Sequence, residues 1–446
     1  DLRPLAVLRD AAINPGGRFG GGATVSPYQP RMTKNQNFKS FADATLKVGG
    51  LTVVVGANAS GKSNLRDAFR FLHGIGRGYT LPEIIGGKYG EGGYREWAPL
   101  RGTTSEIVRF GQRSLTIKAV VGTEGKGKFV YEITVSHQDV RGRFRVESES
   151  LQTEDSPWKQ PVFQTLGPGD DDDDVTIRLR AADGARGHGK RVNLRRDRPI
   201  LTQLETRRGV SIELRSMIEK VVATLGAIRF LDLSADAMRQ PSFPGLDVLG
   251  ESGENLSAVL QALCLDADRK NALVAWVSEL TPLEVSDFEF EADATGRIIL
   301  FLKDIEGGRI SAFSASDGTL RFLAMAAALL SDQDRSLFFF EEIDNGLHPS
   351  RMRVLIDLIE RRVADSTVQV VTTTHSPDLL TIIGETTFES TSVVYRPMGA
   401  GGSIIRRVSE LPHIVELRKT QTLGRLHSSG WFEDALYFDD PAEAAE

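Results

Sequence analysis

The amino-acid sequence predicts an α/β protein in which a mixed, mostly parallel sheet is flanked by helices. Leu51–Val55 is a continuous apolar, β-branched run, followed at once by a glycine-rich turn and an amphipathic helix. Two more short apolar runs, Leu337–Phe340 and 368–371, enclose a helical pattern at 350–363. Because strands that alternate with helices form parallel sheets covered on both faces, these runs are expected to share one sheet.

Length and composition limit the kind of protein. The 446 residues exceed one ordinary domain of about 100–200 residues. The 54 Lys and Arg residues against 60 Asp and Glu give a net charge of -6, which excludes a histone-like polycation but not a local basic patch. Cys264 is the single cysteine, so the chain has neither an intrachain disulfide nor a cysteine-based zinc site. We expect a cytoplasmic protein without a membrane partner, since no apolar run reaches the roughly 18 residues that cross a bilayer.

The sequence divides into four predicted segments. Residues 1–31 are rich in Gly, Pro and Arg, and we interpret them as a flexible leader or a cloning remnant. Residues 32–140 and 296–446 are predicted to form the two halves of the α/β core. Residues 141–295 are predicted to be an inserted α-rich lobe between them.

The predicted insertion contains an acidic block followed by a basic stretch. Five aspartates at 170–174 precede an arginine-rich stretch at 178–208. Such blocks usually form solvated surface, but the arginines could also contact the phosphates of DNA or RNA. Both interpretations stay open, and nucleic acid is a possible partner.

The turn after Leu51–Val55 matches the phosphate-binding pattern G-x-x-x-x-G-K-[ST] at 56–63. Its glycines let successive backbone N–H groups point at phosphate oxygens, and the following helix offers its positive N-terminus to the same anion. Lys62 is expected to reach the β- and γ-phosphates, and the hydroxyl of Ser63 to bind Mg²⁺. The predicted nucleotide-binding residues of this loop and of the helix start are Gly56, Asn58, Ser60, Gly61, Lys62, Ser63 and Asn64.

Two carboxylates follow the apolar run Leu337–Phe340. Ligands of open α/β sheets lie at the carboxyl ends of strands, which is where Glu341 and Glu342 are placed. Since successive strand residues point to opposite faces, we assign Glu341 to the metal and Glu342 to the attacking water. His375, at the end of the next apolar run, is placed to hydrogen-bond the γ-phosphate or the water.

Together these motifs resemble ABC-class ATPase heads of the RecF/SMC type. Residues 314–321 (Ser-Ala-Ser-Asp-Gly-Thr-Leu-Arg) are similar to the family signature, and 37–41 (Asn-Phe-Lys-Ser-Phe) to its opening strand. The resemblance implies a homodimer or higher homo-oligomer in which Ser316 and Gly318 contact the nucleotide held by the other subunit. It also implies the cofactors ATP and Mg²⁺, with catalytic roles for Lys62, Glu342 and His375.

The resemblance implies a biological role as well. The sequence resembles the overcoming-lysogenization-defect group, although too few residues follow Ser376 for the Toprim nuclease domain of that group. The first hypothesis is therefore an ATPase that senses or acts on nucleic acid and controls a separately encoded effector, a nuclease or toxin, in bacterial anti-phage defence. The alternatives are a slow ATP-dependent switch that restrains a partner protein, and a RecF-like DNA repair ATPase. An ATP subunit of a membrane transporter fits the long insertion and the signature less well.

Overall fold

The computed structural model describes residues 30–123, 127–138, 143–154, 161–180, 189–280, 285–331, 337–365, 368–397 and 402–438. The predicted leader therefore lies outside the described residues, except that residues 30 and 31 belong to the first strand. Among the described residues, no helix is both long enough and apolar enough to cross a membrane.

A six-stranded sheet forms the centre of the protein. Its strands in chain order are β3 (Leu51–Val55), β12 (Ile228–Leu231), β16 (Leu337–Phe340), β17 (Gln369–Thr374), β18 (Ser392–Tyr395) and β19 (Ile404–Arg407). Their spatial order is β12-β16-β17-β3-β18-β19, and all neighbouring pairs are parallel except the last, β18 and β19.

An antiparallel sheet of eight strands has the order β11-β10-β9-β8-β7-β6-β1-β2. Its strands are β1 (Pro30–Phe38), β2 (Phe41–Lys47), β6 (Ser114–Thr123), β7 (Gly127–Gln138), β8 (Arg143–Thr153), β9 (Phe163–Pro168), β10 (Asp174–Leu179) and β11 (Lys190–Arg195). Two small sheets pair β4 (Lys88–Tyr89) with β5 (Arg95–Trp97), and join β13 (Val285–Ala292), β14 (Ile298–Asp304) and β15 (Arg309–Ser311).

The helices connect and cover these sheets. They are α1 (Lys62–Gly76), α2 (Leu81–Gly86), α3 (Ile200–Thr206), α4 (Ile212–Gly226), α5 (Ala235–Met238), α6 (Leu256–Leu263), α7 (Ala267–Leu280), α8 (Asp317–Leu330), α9 (Pro349–Asp365), α10 (Pro377–Ile382), α11 (Glu385–Glu389), α12 (Ile414–Leu417), α13 (Leu423–Ser428) and α14 (Trp431–Phe438).

The central sheet is buried on both faces, as its uninterrupted apolar strands predict. Phe339 of β16 packs in the core that contains α1 and α4, whereas its neighbours Phe338 and Phe340 pack in the core that contains α6, α8 and α9. Val54 and Val55 of β3 divide between the same two cores. This two-faced burial explains why both strands lack the apolar–polar alternation of a half-exposed sheet. The predicted α/β fold with a mixed sheet flanked by helices is confirmed.

The segment 141–295 is built differently from a separate α-rich lobe. Its helices α3 to α7 are accompanied by β8–β11, which continue the antiparallel sheet begun by β1, β2, β6 and β7. β12 lies in the central sheet, where Ile228 pairs with Leu337 of β16. The segment therefore contributes strands to both large sheets and completes an edge of the central one.

A buried carboxylate fixes the start of α3 against the antiparallel sheet. Glu149 of β8 is 2% exposed, and its oxygens accept hydrogen bonds from the backbone N–H groups of Ile200 (2.6 Å) and Leu201 (2.8 Å) and from the hydroxyl of Tyr131 (3.0 Å). Pro199, the residue before the helix, offers no side-chain cap, so Glu149 satisfies these helix N–H groups from another element. Burial raises the pKa of Glu149 from its usual value near 4.5 to about 7.

We expect Glu149→Ala to lower the free energy of unfolding by about 2–4 kcal/mol, because two buried N–H groups lose their acceptor. Since the pKa is raised in the folded state, the stability due to protonated Glu149 is fully present below about pH 4.5 and is lost as pH rises through about 7. Denaturant unfolding of wild type and variant at pH 5 and pH 8 measures both effects. Glu147→Ala, at an exposed position of the same strand, is the control; equal stability of the two variants would contradict the role of Glu149.

Candidate active site

Three loops meet at one edge of the central sheet. The parallel strands β16, β17 and β3 are neighbours in that order, with Phe340 opposite Thr372 and Thr374 opposite Val55. Their carboxyl ends therefore lie side by side, and each is followed directly by a predicted functional segment. These segments are Glu341 and Glu342 after β16, His375 after β17, and the loop 56–61 after β3.

The loop between β3 and α1 can be formed only by glycine at two positions. Gly56 has φ 154°, and a Cβ there would lie 2.1 Å from the carbonyl oxygen of Val394 in β18. Gly61, which precedes α1, has φ 121°, and a Cβ there would lie 2.8 Å from Oγ of Ser403. Side-chain-bearing residues rarely adopt these angles, so both glycines are required by backbone conformation and by space.

The ammonium group of Lys62 lies inside this loop. Nζ donates hydrogen bonds to the carbonyl oxygens of Gly56 (2.6 Å) and Ala57 (2.9 Å), and the side chain is 8% exposed. Burial lowers the pKa of Lys62 to about 8, although the nearby carboxylate of Glu342 acts in the opposite direction. A bound polyphosphate would favour the charged form, so ATP is expected to keep Lys62 protonated at neutral pH.

The other predicted loop residues occupy distinct positions. Asn58 and Ser63 are exposed, whereas the buried hydroxyl of Ser60 has no hydrogen-bond partner in the structure. Asn64 is held by the turn between β1 and β2, since its Nδ2 donates to Oγ of Ser40 at 2.7 Å. The glycine cradle, the enclosed ammonium and the unpartnered Ser60 hydroxyl fit a phosphate chain.

Glu342 has the backbone conformation of a residue that is held in place. Its φ is 47°, in the left-handed region that residues other than glycine seldom adopt. Its N–H donates to Oγ1 of Thr373 in β17 (3.1 Å), and its carbonyl accepts from the N–H of Asn345 (2.9 Å). The carboxylate is exposed at the sheet edge, so it can accept a proton from a water molecule beside the phosphate loop.

His375 shares the electrostatic environment of Lys62 and Glu342. Burial lowers the pKa of His375 and the charge of Lys62 adds to this, while Glu342 and Asp344 oppose it. The imidazole is therefore mainly neutral at pH 7 and can both donate and accept a hydrogen bond. Lys62, Glu342 and His375 follow the carboxyl ends of the neighbouring strands β3, β16 and β17, so they lie at the same edge of the sheet.

Glu341, which the sequence assigns to the metal, is bound by two arginines. Arg101 donates a hydrogen bond to Oε2, and Nε of Arg66 lies 3.5 Å from the same oxygen. The hard oxygen donors of Ser63 and Glu341 are the type that Mg²⁺ prefers. Among the described residues, no group of three or more His, Cys, Asp or Glu side chains is arranged to hold a metal. The structure thus adds Arg66 and Arg101 to the site, neither of which belongs to a sequence motif.

The signature segment lies at the start of α8. Ser316 is exposed and caps the helix, accepting a hydrogen bond from the N–H of Thr319 at 3.2 Å. Gly318 lies against the loop after β16, since a Cβ there would be 2.6 Å from the carbonyl oxygen of Gly346. Within the described residues, no hydrogen bond or ion pair joins Ser316 or Gly318 to residues 56–63 of the same chain.

Sequence reasoning also missed Asp344. One carboxylate oxygen of Asp344 is buried without a hydrogen-bond partner in the structure, and its charge acts on His375. The available signal was its position two residues after Glu342. An acidic group at this point can orient the imidazole of His375 or a bound water.

A glycine cradle with an enclosed lysine, beside carboxylates at the carboxyl ends of neighbouring parallel strands, defines a P-loop nucleotide-binding protein. The chain belongs to the family described as "AAA domain, putative AbiEii toxin, Type IV TA system", whose model matches residues 51–381. The match extends from β3 to α10 and includes the phosphate loop, the signature, the two glutamates and His375.

Proteins similar to the chain include one curated relative and several solved structures. An "ATP/GTP phosphatase" of Helicobacter pylori is 34% identical over 98 residues, and these cover 21% of this chain but only 25% of the relative. One solved structure is an Smc head bound to the C-winged helix domain of ScpA, with 14% identity, coverage of 85% of this chain and 97% of that chain, and a TM-score of 0.48. Another is the SMC head domain from Thermotoga maritima, with 13% identity, coverage of 85% and 99%, and a TM-score of 0.37. A further one is an Smc head with an extended coiled coil bound to the C-terminal domain of ScpA derived from Pyrococcus furiosus, with 14% identity, coverage of 88% and 100%, and a TM-score of 0.47.

Proposed function

We propose that the chain is an ATP-hydrolysing head that pairs with a second copy around ATP and controls a separately encoded effector. The carrying observation is the convergence of Lys62, Glu342 and His375 at the carboxyl ends of β3, β16 and β17. These are the groups that hydrolysis requires: a cation for the phosphates, a base for the water and a polar group to orient both.

Each group has one task in this proposal. The loop 56–61 and Lys62 bind the phosphates, and Ser63 and Glu341 would hold Mg²⁺, which would supply positive charge beside them. Glu342 accepts the proton of the attacking water. Neutral His375 donates a hydrogen bond to the γ-phosphate or to that water.

The exposed signature supports pairing around the nucleotide. Ser316 and Asp317, at the N-terminus of α8, are exposed, and within the described residues neither makes a hydrogen bond to the phosphate loop of its own chain. A helix N-terminus favours an anion, and α8 has 14 residues. In a two-fold dimer, each α8 would approach the nucleotide of the other subunit and complete two equivalent sites.

The alternative of a slow ATP-dependent switch is favoured by the ion pairs that the carboxylate of Glu341 makes with two arginines. This carboxylate is neutralised by Arg101 and Arg66, and this competes with binding of a metal. A head that exchanges these contacts slowly would bind ATP and pair, yet hydrolyse it rarely. The turnover number separates the two functions, because both predict ATP-dependent pairing.

A role of nucleic acid is supported by the edge of the antiparallel sheet. Arg178 of β10 lies directly opposite Arg191 of β11, and neither has a carboxylate partner among the described residues. Like charges opposite each other destabilise a sheet unless an anion lies between them. By contrast, Arg195 and Arg198 are both paired with Asp197, which fits the surface interpretation of that part of the segment.

The double variant Arg178→Gln/Arg191→Gln is expected to weaken DNA binding about tenfold and to reduce the slope of log affinity against log salt by about two, since two phosphate contacts are lost. Fluorescence anisotropy with a labelled duplex at several salt concentrations measures both. Arg195→Gln/Arg198→Gln is the matched control, because it removes the same charge from two arginines that share the carboxylate of Asp197. If both variants bind like wild type, this hairpin does not contact DNA.

The proposed function is tested by measuring phosphate release with and without duplex DNA, together with the mass of the protein with and without ATP. We expect ATP to double the mass and DNA to change the rate. A monomer at all ATP concentrations would contradict the pairing. Absence of phosphate release from an ATP-bound dimer would favour the switch.

The role in anti-phage defence rests on the motifs and on the family description, which names a toxin–antitoxin system. We propose a nuclease or toxin as the controlled effector. Deleting the gene and its neighbours separately in the native host, followed by phage challenge, tests this role. Unchanged phage sensitivity in every deletion strain would contradict it.

A further inference from the structure

A cavity whose lining includes no residue of the three catalytic loops lies at the edge of the central sheet formed by β12. Its volume is about 310 Å³, within the range of small-molecule sites. Its walls come from the C-terminal half of α1, from β12, from the end of α8 and from the segments 96–97 and 248–251. Aromatic groups on its walls are Tyr79, Trp97, Phe230 and Phe338.

Cations outnumber anions around this cavity. The three guanidinium groups of Arg70, Arg77 and Arg229 line it, together with the two carboxylates of Glu96 and Glu251 and the imidazole of His73.

Both carboxylates are already occupied by other groups. Lys88 lies 3.2 Å from Glu96, and Arg66 shares Glu251 with Arg70. Neither Arg77 nor Arg229 has a carboxylate partner among the described residues. The cavity therefore carries uncompensated positive charge.

Two buried side-chain nitrogen atoms of the cavity residues have no hydrogen-bond partner in the structure. Arg70 is 4% exposed; its Nη1 donates to Glu251, but its Nε has no hydrogen-bond partner in the structure. Nδ1 of His73, one turn further along α1, is likewise buried without one. Burial is the largest cause that lowers the pKa of His73 to about 3, and the positive charges of Arg77, Arg70 and Arg229 add to it. Burial and the charge of Arg77 also lower the pKa of Arg229. The cations thus repel one another in the described structure.

We propose that this cavity binds a small phosphate monoester. A phosphate carries two negative charges and oxygen acceptors that match guanidinium groups, which would relieve the repulsion among Arg70, Arg77 and Arg229. A volume of about 310 Å³ leaves room for an organic group attached to the phosphate. The site is separate from the phosphate loop, so it does not depend on the proposed ATP hydrolysis.

The cavity is connected to the catalytic edge by one chain of charges. Oε1 of Glu251 accepts from Arg70 at 2.7 Å and from Arg66 at 2.6 Å, and Arg66 in turn contacts Glu341. A phosphate that draws Arg70 away from Glu251 leaves that carboxylate to Arg66 alone. Arg66 would then bind Glu341 less strongly, so occupancy of the cavity would favour binding of a metal by Glu341.

Calorimetric titration tests the site, with inorganic phosphate and AMP as probes and Lys62→Ala protein as the background to weaken binding at the phosphate loop. We expect saturable binding of both probes, tighter for AMP, and a loss of about tenfold in affinity in Arg77→Gln, whose side chain is exposed and should not affect folding. Arg229→Gln is a second variant, with thermal unfolding to confirm its fold. Arg208→Gln, an exposed arginine outside the cavity, is the control. Absence of saturable binding, or equal affinity in Arg77→Gln, Arg229→Gln and the control, would overturn the proposal.

Discussion

Glu342→Gln is expected to abolish ATP turnover while leaving ATP binding intact. The amide has nearly the same shape but cannot accept a proton from water, so we expect the turnover number to fall by at least about 100-fold. The phosphate loop and Lys62 are unchanged, hence ATP still binds. Pairs of heads that form around ATP would then persist, because hydrolysis no longer separates them.

Phosphate release, ATP affinity and mass with ATP measure these three effects on the same protein. Glu306→Gln removes an equal charge from an exposed position and should behave as wild type. The substitution changes only the side chain of residue 342. The backbone is therefore expected to keep its φ of 47° and the hydrogen bond from its N–H to Thr373. Full turnover in Glu342→Gln would show that another group is the base.

The catalytic edge could be predicted because its residues follow short apolar strands. Leu51–Val55 and Leu337–Phe340 are buried on both faces, so each leaves a continuous apolar run in the sequence. Parallel pairing then brings the residues after such runs to one edge, and this relation places Glu342 and His375 without knowledge of side-chain contacts.

Contacts between segments far apart in the chain could not be predicted in this way. Arg66 and Arg101 both contact Glu341, 275 and 240 residues further along, and nothing in the local pattern around Arg101 indicates a partner. Glu251 likewise lies 185 residues from Arg66. Such ion pairs depend on the packing of loops, and periodicity does not encode loop packing.

The segment 141–295 shows the same limit for strands. The aspartates at 170–173 connect β9 with β10, and nothing in this acidic block indicates a strand on either side of it. The short strand β10 alternates buried and part-exposed residues, but six residues of alternation do not specify which sheet they join. Pairing with β9 and β11 fixed that choice, and pairing is a long-range property.

Mixing two inactive variants is expected to restore ATP hydrolysis if each site is shared between two chains. Lys62→Ala removes the phosphate lysine but keeps the signature, whereas Ser316→Arg blocks the signature but keeps the phosphate loop. Each protein alone should be inactive. In a mixed dimer, the intact loop of one chain faces the intact signature of the other, so one of the two sites is complete. Random pairing gives equal numbers of mixed and unmixed dimers, and about a quarter of wild-type activity should return.

Phosphate release from equal mixtures measures this recovery, and mixing either variant with itself is the control. Ser316 also caps α8, so Ser316→Arg should cost about 1 kcal/mol of stability, which thermal unfolding would reveal. That cost cannot imitate the expected result, because a misfolded variant would fail to rescue its partner. Full activity of Ser316→Arg alone would contradict a role of the signature segment in the nucleotide site. No recovery on mixing, with both variants folded, would mean that the exposed start of α8 does not complete the nucleotide site of a second copy.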